Sequence, residues 1–221
     1  MEALEKLLEL EWKMFHSVNG EDRTSCQEDY NMFCKMRRAQ YDVWSEKTVA
    51  SCLADLEQAD AQGINLARQK YIHMMKSTDP EGYEHFKDEL PEETPEKEAL
   101  IGQIWDILLG QTLKMREKYP VIALGGRPLY ASEERDGGAS LETYQKSELM
   151  TYSAATLESL LNDIKALEEQ GKDYAWMVQE NSVLCLGYPN MEEAEKMMAL
   201  QILSEFGAEP GSCGCCGGGE C

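Results

Sequence analysis

Hydrophobic residues recur every three or four positions along most of the chain, which is the spacing of one face of an α-helix. The strongest stripe runs from Leu100 to Met115. The pattern predicts helices over about 2–18, 24–40, 46–62, 64–77, 100–118, 140–170, 173–187 and 190–206. We therefore expect an all-α fold. It consists of a single domain of seven or eight helices over residues 1–207, followed by a flexible Cys/Gly-rich tail over 208–221.

Two stretches interrupt the helical pattern. Residues 79–98 hold three of the seven prolines and many acidic side chains, which predicts a solvated connection. Residues 121–138 (VIALGGRPLYASEERDGG) begin apolar and become rich in glycine. This second stretch is the one place where the sequence favours a short strand or a functional loop.

Composition and charge narrow the class of protein. Of 221 residues, 43% are hydrophobic and 28% are charged, which is typical of a globular chain. The 41 acidic residues exceed the 21 basic residues by 20, so the surface repels nucleic acid and anionic membranes and favours a basic protein partner. No run of 18 apolar residues occurs, and the amphipathic, acidic start is unlike a signal peptide. We expect no membrane span and a cytoplasmic location.

The C-terminal tail contains half of the eight cysteines. Four thiols among several glycines can wrap a soft ion such as Cu(I) or Zn(II), or hold an iron–sulfur species. The spacing differs from the paired C-x2-C of a zinc finger, and two adjacent thiols can instead form a reducible disulfide. The remaining alternative is that the tail is a disordered terminus with no specific function. The candidate metal ligands are Cys213, Cys215, Cys216 and Cys221.

Cys26 is the weak candidate for a catalytic residue, because the first turn of a helix lowers the pKa of a thiol. Eight helical residues separate it from Cys34, about 12 Å and too far for a disulfide, and burial as a small hydrophobic residue is the alternative for both. A couple between Cys26 and His16 is sterically conceivable. The chain has no di-iron Glu-x-x-His pair, zinc H-E-x-x-H motif, P-loop or G-x-S-x-G elbow.

Arginines stand out in so acidic a protein. The guanidinium groups of Arg23, Arg37, Arg38 and Arg127 can bind a carboxylate or a phosphate, and the Gly-Gly pair before Arg127 allows an anion to approach the backbone. Pairing with the protein's own acidic side chains is the alternative.

Several motifs, in order along the chain, resemble the bacterial domain of unknown function 4125 over residues 11–207. They are EWKMF at 11–15, CQ at 26–27, MRRAQ at 36–40, NL at 65–66, KY at 70–71, MM at 74–75, YP at 119–120, GRP at 126–128, SLETY at 140–144, EL at 148–149, YS at 152–153 and TL at 156–157. The resemblance implies a cytoplasmic bacterial domain and brings no activity with it. The tail lies outside it.

Within the matched blocks, the polar or reactive side chains form a list of candidate ligand-binding residues. Beside Cys26 they are Glu11, Gln27, Arg37, Gln40, Arg127, Glu142, Tyr144, Glu148 and Tyr152. Residues 144, 148 and 152 share one helical face. We expect that face to meet the N-terminal helical hairpin around a small ligand, or else to form a hydrogen-bonded network between helices.

Three functions are consistent with these observations. The first is a binding or carrier protein whose tail handles a soft metal or a sulfur species. The second is an enzyme with a polar pocket between the N-terminal hairpin and the helix predicted over 140–170. The third is an interaction module whose acidic surface meets a basic partner.

Overall fold

The computed structural model describes residues 2–18, 28–135 and 138–206. Within these ranges it is all-α, with two short 3-10 turns (Lys87–Glu89 and Ala131–Glu133) and no strand. The helices are α1 Glu2–His16, α2 Tyr30–Tyr41, α3 Glu46–Ala61, α4 Leu66–Thr78, α5 Pro80–Phe86, α6 Pro95–Lys118, α7 Pro120–Leu124, α8 Leu141–Leu149, α9 Ala154–Glu169, α10 Tyr174–Cys185 and α11 Met191–Phe206. The predicted fold class is confirmed.

The described residues contain eleven helices rather than seven or eight, for three local reasons. The connection predicted over 79–98 is partly helical, because Asp79 caps the backbone N–H of Gly82 and Pro80 occupies the first turn of α5. The predicted strand or loop after Tyr119 begins with the short helix α7. The helix predicted over 140–170 is two helices, α8 and α9.

The break between α8 and α9 has an identifiable cause. Ser153 accepts a hydrogen bond from the backbone N–H of Thr156 and so caps α9. The carboxylate of Asp55, on α3, accepts hydrogen bonds from the Ser153 N–H (2.9 Å) and the Thr156 hydroxyl (2.7 Å). A contact from a distant helix therefore fixes the start of α9.

The second helix also differs from its prediction, which began it near Thr24. In the structure α2 begins at Tyr30, because the Asp29 carboxylate caps it by accepting a hydrogen bond from the Met32 N–H at 2.9 Å. Residues 19–27, which include the predicted start of this helix, lie outside the described part of the chain.

The helices pack around one principal core. Helix α1 packs on α3 and α4, α9 packs between α3 and α6, and α10 packs on α2 and α6. Buried side chains at its centre include Leu7, Leu8, Ile104, Leu157 and Ile164. A smaller apolar cluster joins the end of α6 to α7, α10 and α11. Among the described helices, none is both long and apolar enough to cross a bilayer.

Candidate functional site

A cavity of about 360 Å³ lies between α1, α2, α3, α4 and α8. We call it the main cavity. One wall is apolar, and its sulfur-containing and aromatic side chains come chiefly from α1 and α2. This wall includes Met14, Phe15, Met32, Phe33, Met36 and Leu66. The lining also has a polar end, formed by side chains that contact one another: Glu11, Arg37, Lys70, Arg127, Tyr144 and Glu148.

Aromatic contacts hold the two helices of the apolar wall together. The rings of Phe15 (α1) and Phe33 (α2) stack nearly parallel, with centroids 5.3 Å apart. Trp12 packs against Phe33 at 5.2 Å and meets Tyr30 edge-on at 5.3 Å. Such pairs stabilise beyond the area they bury. They fix the spacing of α1 and α2 beside the main cavity.

Arg37 is the centre of a closed polar network. Its Nε and Nη2 atoms each donate a hydrogen bond to one carboxylate oxygen of Glu11, at 2.9 and 2.6 Å. The same Nη2 also donates to the Tyr41 hydroxyl, while Nη1 donates to Gln40 (3.2 Å) and Glu148 (3.0 Å). These contacts use all five N–H groups of the guanidinium.

Glu148, on α8, is the matching acceptor. One oxygen accepts hydrogen bonds from Arg37, from Gln40 (3.3 Å) and from the Tyr152 hydroxyl (3.0 Å), and the other accepts one from Lys70. Tyr152, which lies in the break after α8, donates one of these bonds. Four predicted site residues from three helices are thereby brought together with Tyr152.

The electrostatics of this network keep its charges in place. Burial opposes ionisation of Glu148, but the charges of Arg37 and Lys70 outweigh burial and hold the pKa of this carboxyl well below its usual value. Burial likewise opposes the charge of Arg37, yet Glu11 and Glu148 raise its pKa. Lys70 responds in the same way to Glu148, which raises its pKa against the effect of burial. The buried charges are therefore mutually compensated.

Two cations with unused hydrogen-bond donors, Lys70 and Arg127, contact the Tyr144 ring at the edge of this network. The Lys70 ammonium lies over the ring, 3.5 Å from its centroid, and the Arg127 guanidinium carbon lies 4.7 Å from it. Arg127 donates one hydrogen bond, to the Ala139 carbonyl at 3.0 Å. Within the described part of the chain, Arg127 forms no ion pair.

Cys52, on α3, is the described thiol that lines the main cavity. Burial, and then the negative charge of Glu11, raise the pKa of this thiol well above its usual value. Burial also raises the pKa of Tyr41 and of Tyr152. These groups are held in their neutral forms near neutral pH, which suits packing and hydrogen bonding.

Glu142 does not join the other predicted residues at the main cavity. It accepts hydrogen bonds from the Ala131 N–H (3.1 Å) and from Lys146 (2.7 Å), and it lines a second, more open cleft of about 660 Å³. His73 lines the same cleft, and its buried Nε2 has no hydrogen-bond partner. Glu93 Oε1 lies 3.8 Å from it, too far for a hydrogen bond.

The remaining predicted residues lie outside the described part of the chain. They are Arg23, Cys26, Gln27 and the tail cysteines Cys213, Cys215, Cys216 and Cys221. Among the described residues, no group of three His, Cys, Asp or Glu side chains is arranged to hold a metal ion. The thiol and metal hypotheses therefore remain predictions from sequence.

Sequence reasoning missed Lys70 and the apolar wall. Lys70 lies in a matched motif, KY at 70–71, but its role depends on Glu148 and Tyr144 of another helix. Met32 and Met36 are four positions apart, so they share a face of α2, which was a usable signal.

Fold and site together define an all-helical protein with a partly open cavity that combines an apolar wall with a cluster of charged side chains. The family model described as a protein of unknown function, DUF4125, matches residues 1–196, and the chain belongs to this family. The family resemblance seen in the motifs is thus confirmed. The family model covers residues 1–196 rather than 11–207, so it starts earlier and ends within α11. Searches of curated proteins and of solved structures give no match.

Proposed function

We propose that the protein binds a small molecule with an apolar body in the main cavity. The observation that carries this proposal is a cavity of about 360 Å³ with an apolar wall and a few convergent polar groups at one end. Cavities of about 300–1,000 Å³ with that distribution are typical of small-molecule sites. Methionine side chains adapt to ligands of different shape, which suits Met14, Met32 and Met36 in the wall.

The polar end favours binding over chemistry by the described residues. Arg37 and Glu11 satisfy each other, and the Glu148 carboxylate accepts four hydrogen bonds. Proton transfer needs a group whose pKa lies near the working pH, whereas the pKa of Glu148 is depressed and that of Cys52 is raised. The network supports the cavity and gives it a fixed shape.

The test is titration with N-phenyl-1-naphthylamine, an uncharged fluorophore that brightens in apolar surroundings. We expect saturable binding of one molecule per chain. Replacing Ala67, which lines the cavity on α4, by Phe fills part of the space and should weaken binding by about tenfold, equivalent to about 1.4 kcal/mol. Ala54→Phe is the matched control, because Ala54 is exposed on α3 and does not line the cavity.

Two results would reject the proposal. One is a fluorescence increase that never saturates. The other is equal binding by the wild type and the Ala67→Phe variant while both remain folded by circular dichroism.

For the tail, we propose handling of a soft metal ion or of a thiol or sulfur species. Support comes from the sequence, which places Cys213, Cys215, Cys216 and Cys221 within nine residues. Anaerobic purification followed by mass spectrometry of bound metal, beside a chain that ends at Pro210, tests this idea. Near-stoichiometric copper, zinc or iron that disappears with the tail supports it, and metal-free protein after challenge with each ion rejects it.

We also propose a setting for the protein. The net charge of −20 and the family resemblance support work in the cytoplasm of bacteria, beside a partner with a basic surface. Localisation of a tagged full-length chain in a bacterial host checks the compartment.

A further inference from the structure

We infer that the ligand of the main cavity carries an anionic oxygen head group, a carboxylate or a phosphate, which Lys70 and Arg127 bind beside the Tyr144 ring. This inference rests on the proposed function and names the class of ligand that the cavity selects.

The first argument is the pairing state of the charged side chains around the cavity. Glu11 and Glu148 are occupied by Arg37 and Lys70. Asp29 accepts the Met32 N–H at the start of α2, and Asp55 accepts the Ser153 N–H at the start of α9. Each of the four carboxylates is thus bound to a cation or to a helix N-terminus, where negative charge is stabilised.

The second argument is the surplus of donors at the polar end. Lys70 has three N–H groups, of which one binds Glu148. Arg127 has five, of which one binds the Ala139 carbonyl. In a protein with 41 acidic and 21 basic residues, an arginine that lines a cavity and has no ion pair among the described residues is available for an external anion.

The third argument is geometry. The loop that carries Arg127 is anchored, because Arg116 donates to the Arg127 carbonyl at 2.7 Å and the Leu141 N–H donates to the Pro128 carbonyl at 2.8 Å. Both cations lie over the Tyr144 ring. With their charged groups 3.5 and 4.7 Å from one ring centroid, the two cations lie within about 8 Å of each other, so both attract a single carboxylate or phosphate while the apolar body extends along the wall.

The test compares two probes that differ by one anionic group. They are the neutral N-phenyl-1-naphthylamine and 1-anilinonaphthalene-8-sulfonate, whose sulfonate stands in for the head group. We expect the full-length wild type to bind the anionic probe about 5- to 10-fold more tightly, the gain expected of a charge-assisted contact at a partly exposed site. Arg127→Gln should remove most of that preference and leave the neutral probe within about twofold.

Arg135→Gln is the matched control. Arg135 is exposed on the same loop, does not line the cavity and forms no ion pair with the described residues, so the replacement changes net charge equally. It should leave both affinities unchanged.

The outcomes separate the two proposals. Equal affinity for both probes, or an equal effect of Arg127→Gln and Arg135→Gln, overturns the anionic head group and leaves the cavity as a binding site. Failure of both probes to bind at a saturable site that Ala67→Phe blocks overturns the proposed function itself. When the anionic probe is preferred, competition by decanoate and by decyl phosphate distinguishes a carboxylate from a phosphate ligand.

Discussion

Arg37 and Arg38 are neighbours on α2, yet they meet different environments. The Arg37 side chain is 14% exposed and pairs with Glu11 and Glu148, whose side chains are 15% and 10% exposed. The Arg38 side chain is 36% exposed and pairs with Glu5, which is 54% exposed. Water screens the Arg38 ion pair but has little access to those of Arg37. The two arginines therefore contribute differently to the free energy of unfolding, although they are adjacent.

Replacing each of these arginines by Met should therefore have unequal effects. Arg37→Met leaves Glu11 and Glu148 buried with a missing cation, and we expect a loss of about 3–5 kcal/mol in the free energy of unfolding. Arg38→Met should cost less than about 1 kcal/mol. Urea unfolding followed by circular dichroism measures both, and equal losses would refute the distinction.

At the level of helices, Asp55 links α3 to the start of α9. Its carboxylate binds the Ser153 N–H and the Thr156 hydroxyl, which also meets the Ser51 hydroxyl at 2.7 Å. A single side chain on α3 thus fixes the residue at which α9 begins.

We expect Asp55→Ala to destabilise the protein by about 2–3 kcal/mol, because it leaves a partly buried donor and a hydroxyl without their acceptor. Ser153→Ala, which removes the helix cap and one hydrogen bond to the Thr156 hydroxyl but keeps the Asp55 contacts, should cost about 1 kcal/mol. Asp60→Ala is the control on the same helix, since Asp60 pairs with the exposed Lys13. A loss at Asp55 no larger than that at Asp60 would contradict the account of the helix break.

Much of the fold could be predicted from local pattern, and the remainder depends on contacts between distant residues. The predicted α1 and α3 match the structure closely, because the apolar stripe of each lies within its own segment and Ser45, next to α3, caps that helix. The division of 140–170 was missed because the apolar period continues through Tyr152, while its cause, Asp55, lies 98 residues away from Ser153. Lys70 was missed for the same reason, since its partners belong to α8.

For the whole molecule, buried titratable groups make stability depend on pH. Burial, then the charges of Lys97 and Lys76, lower the pKa of His73 to about 4 from its usual 6.5, and the nearby Glu93 is paired with Lys97. The unfolded chain takes up a proton at this histidine near pH 6.5, whereas the folded chain does so only near 4. Unfolding is therefore favoured progressively as pH falls between these values.

We expect the wild type to lose stability between pH 6.5 and pH 4, and His73→Gln to lack that part of the loss. Below pH 4.5 both proteins should lose stability further, because the depressed pKa of Glu148 means that the unfolded chain binds its proton first. Urea unfolding at a series of pH values gives the profiles, with His85→Gln as an exposed control on α5. Parallel profiles for the wild type and His73→Gln would refute the assignment.

The central claim is that a small molecule enters the main cavity, and the side chains of its wall can report this directly. The chain has twelve methionines, of which Met14, Met32 and Met36 line the cavity and Met197 is exposed on α11. Carbon-13 labelling of the methionine methyl groups allows each to be followed by NMR during titration with N-phenyl-1-naphthylamine. The account predicts saturable shifts of the three cavity methyl signals and none of Met197. Unchanged cavity signals, or shifts confined to Met197 and other methionines outside the wall, would contradict it.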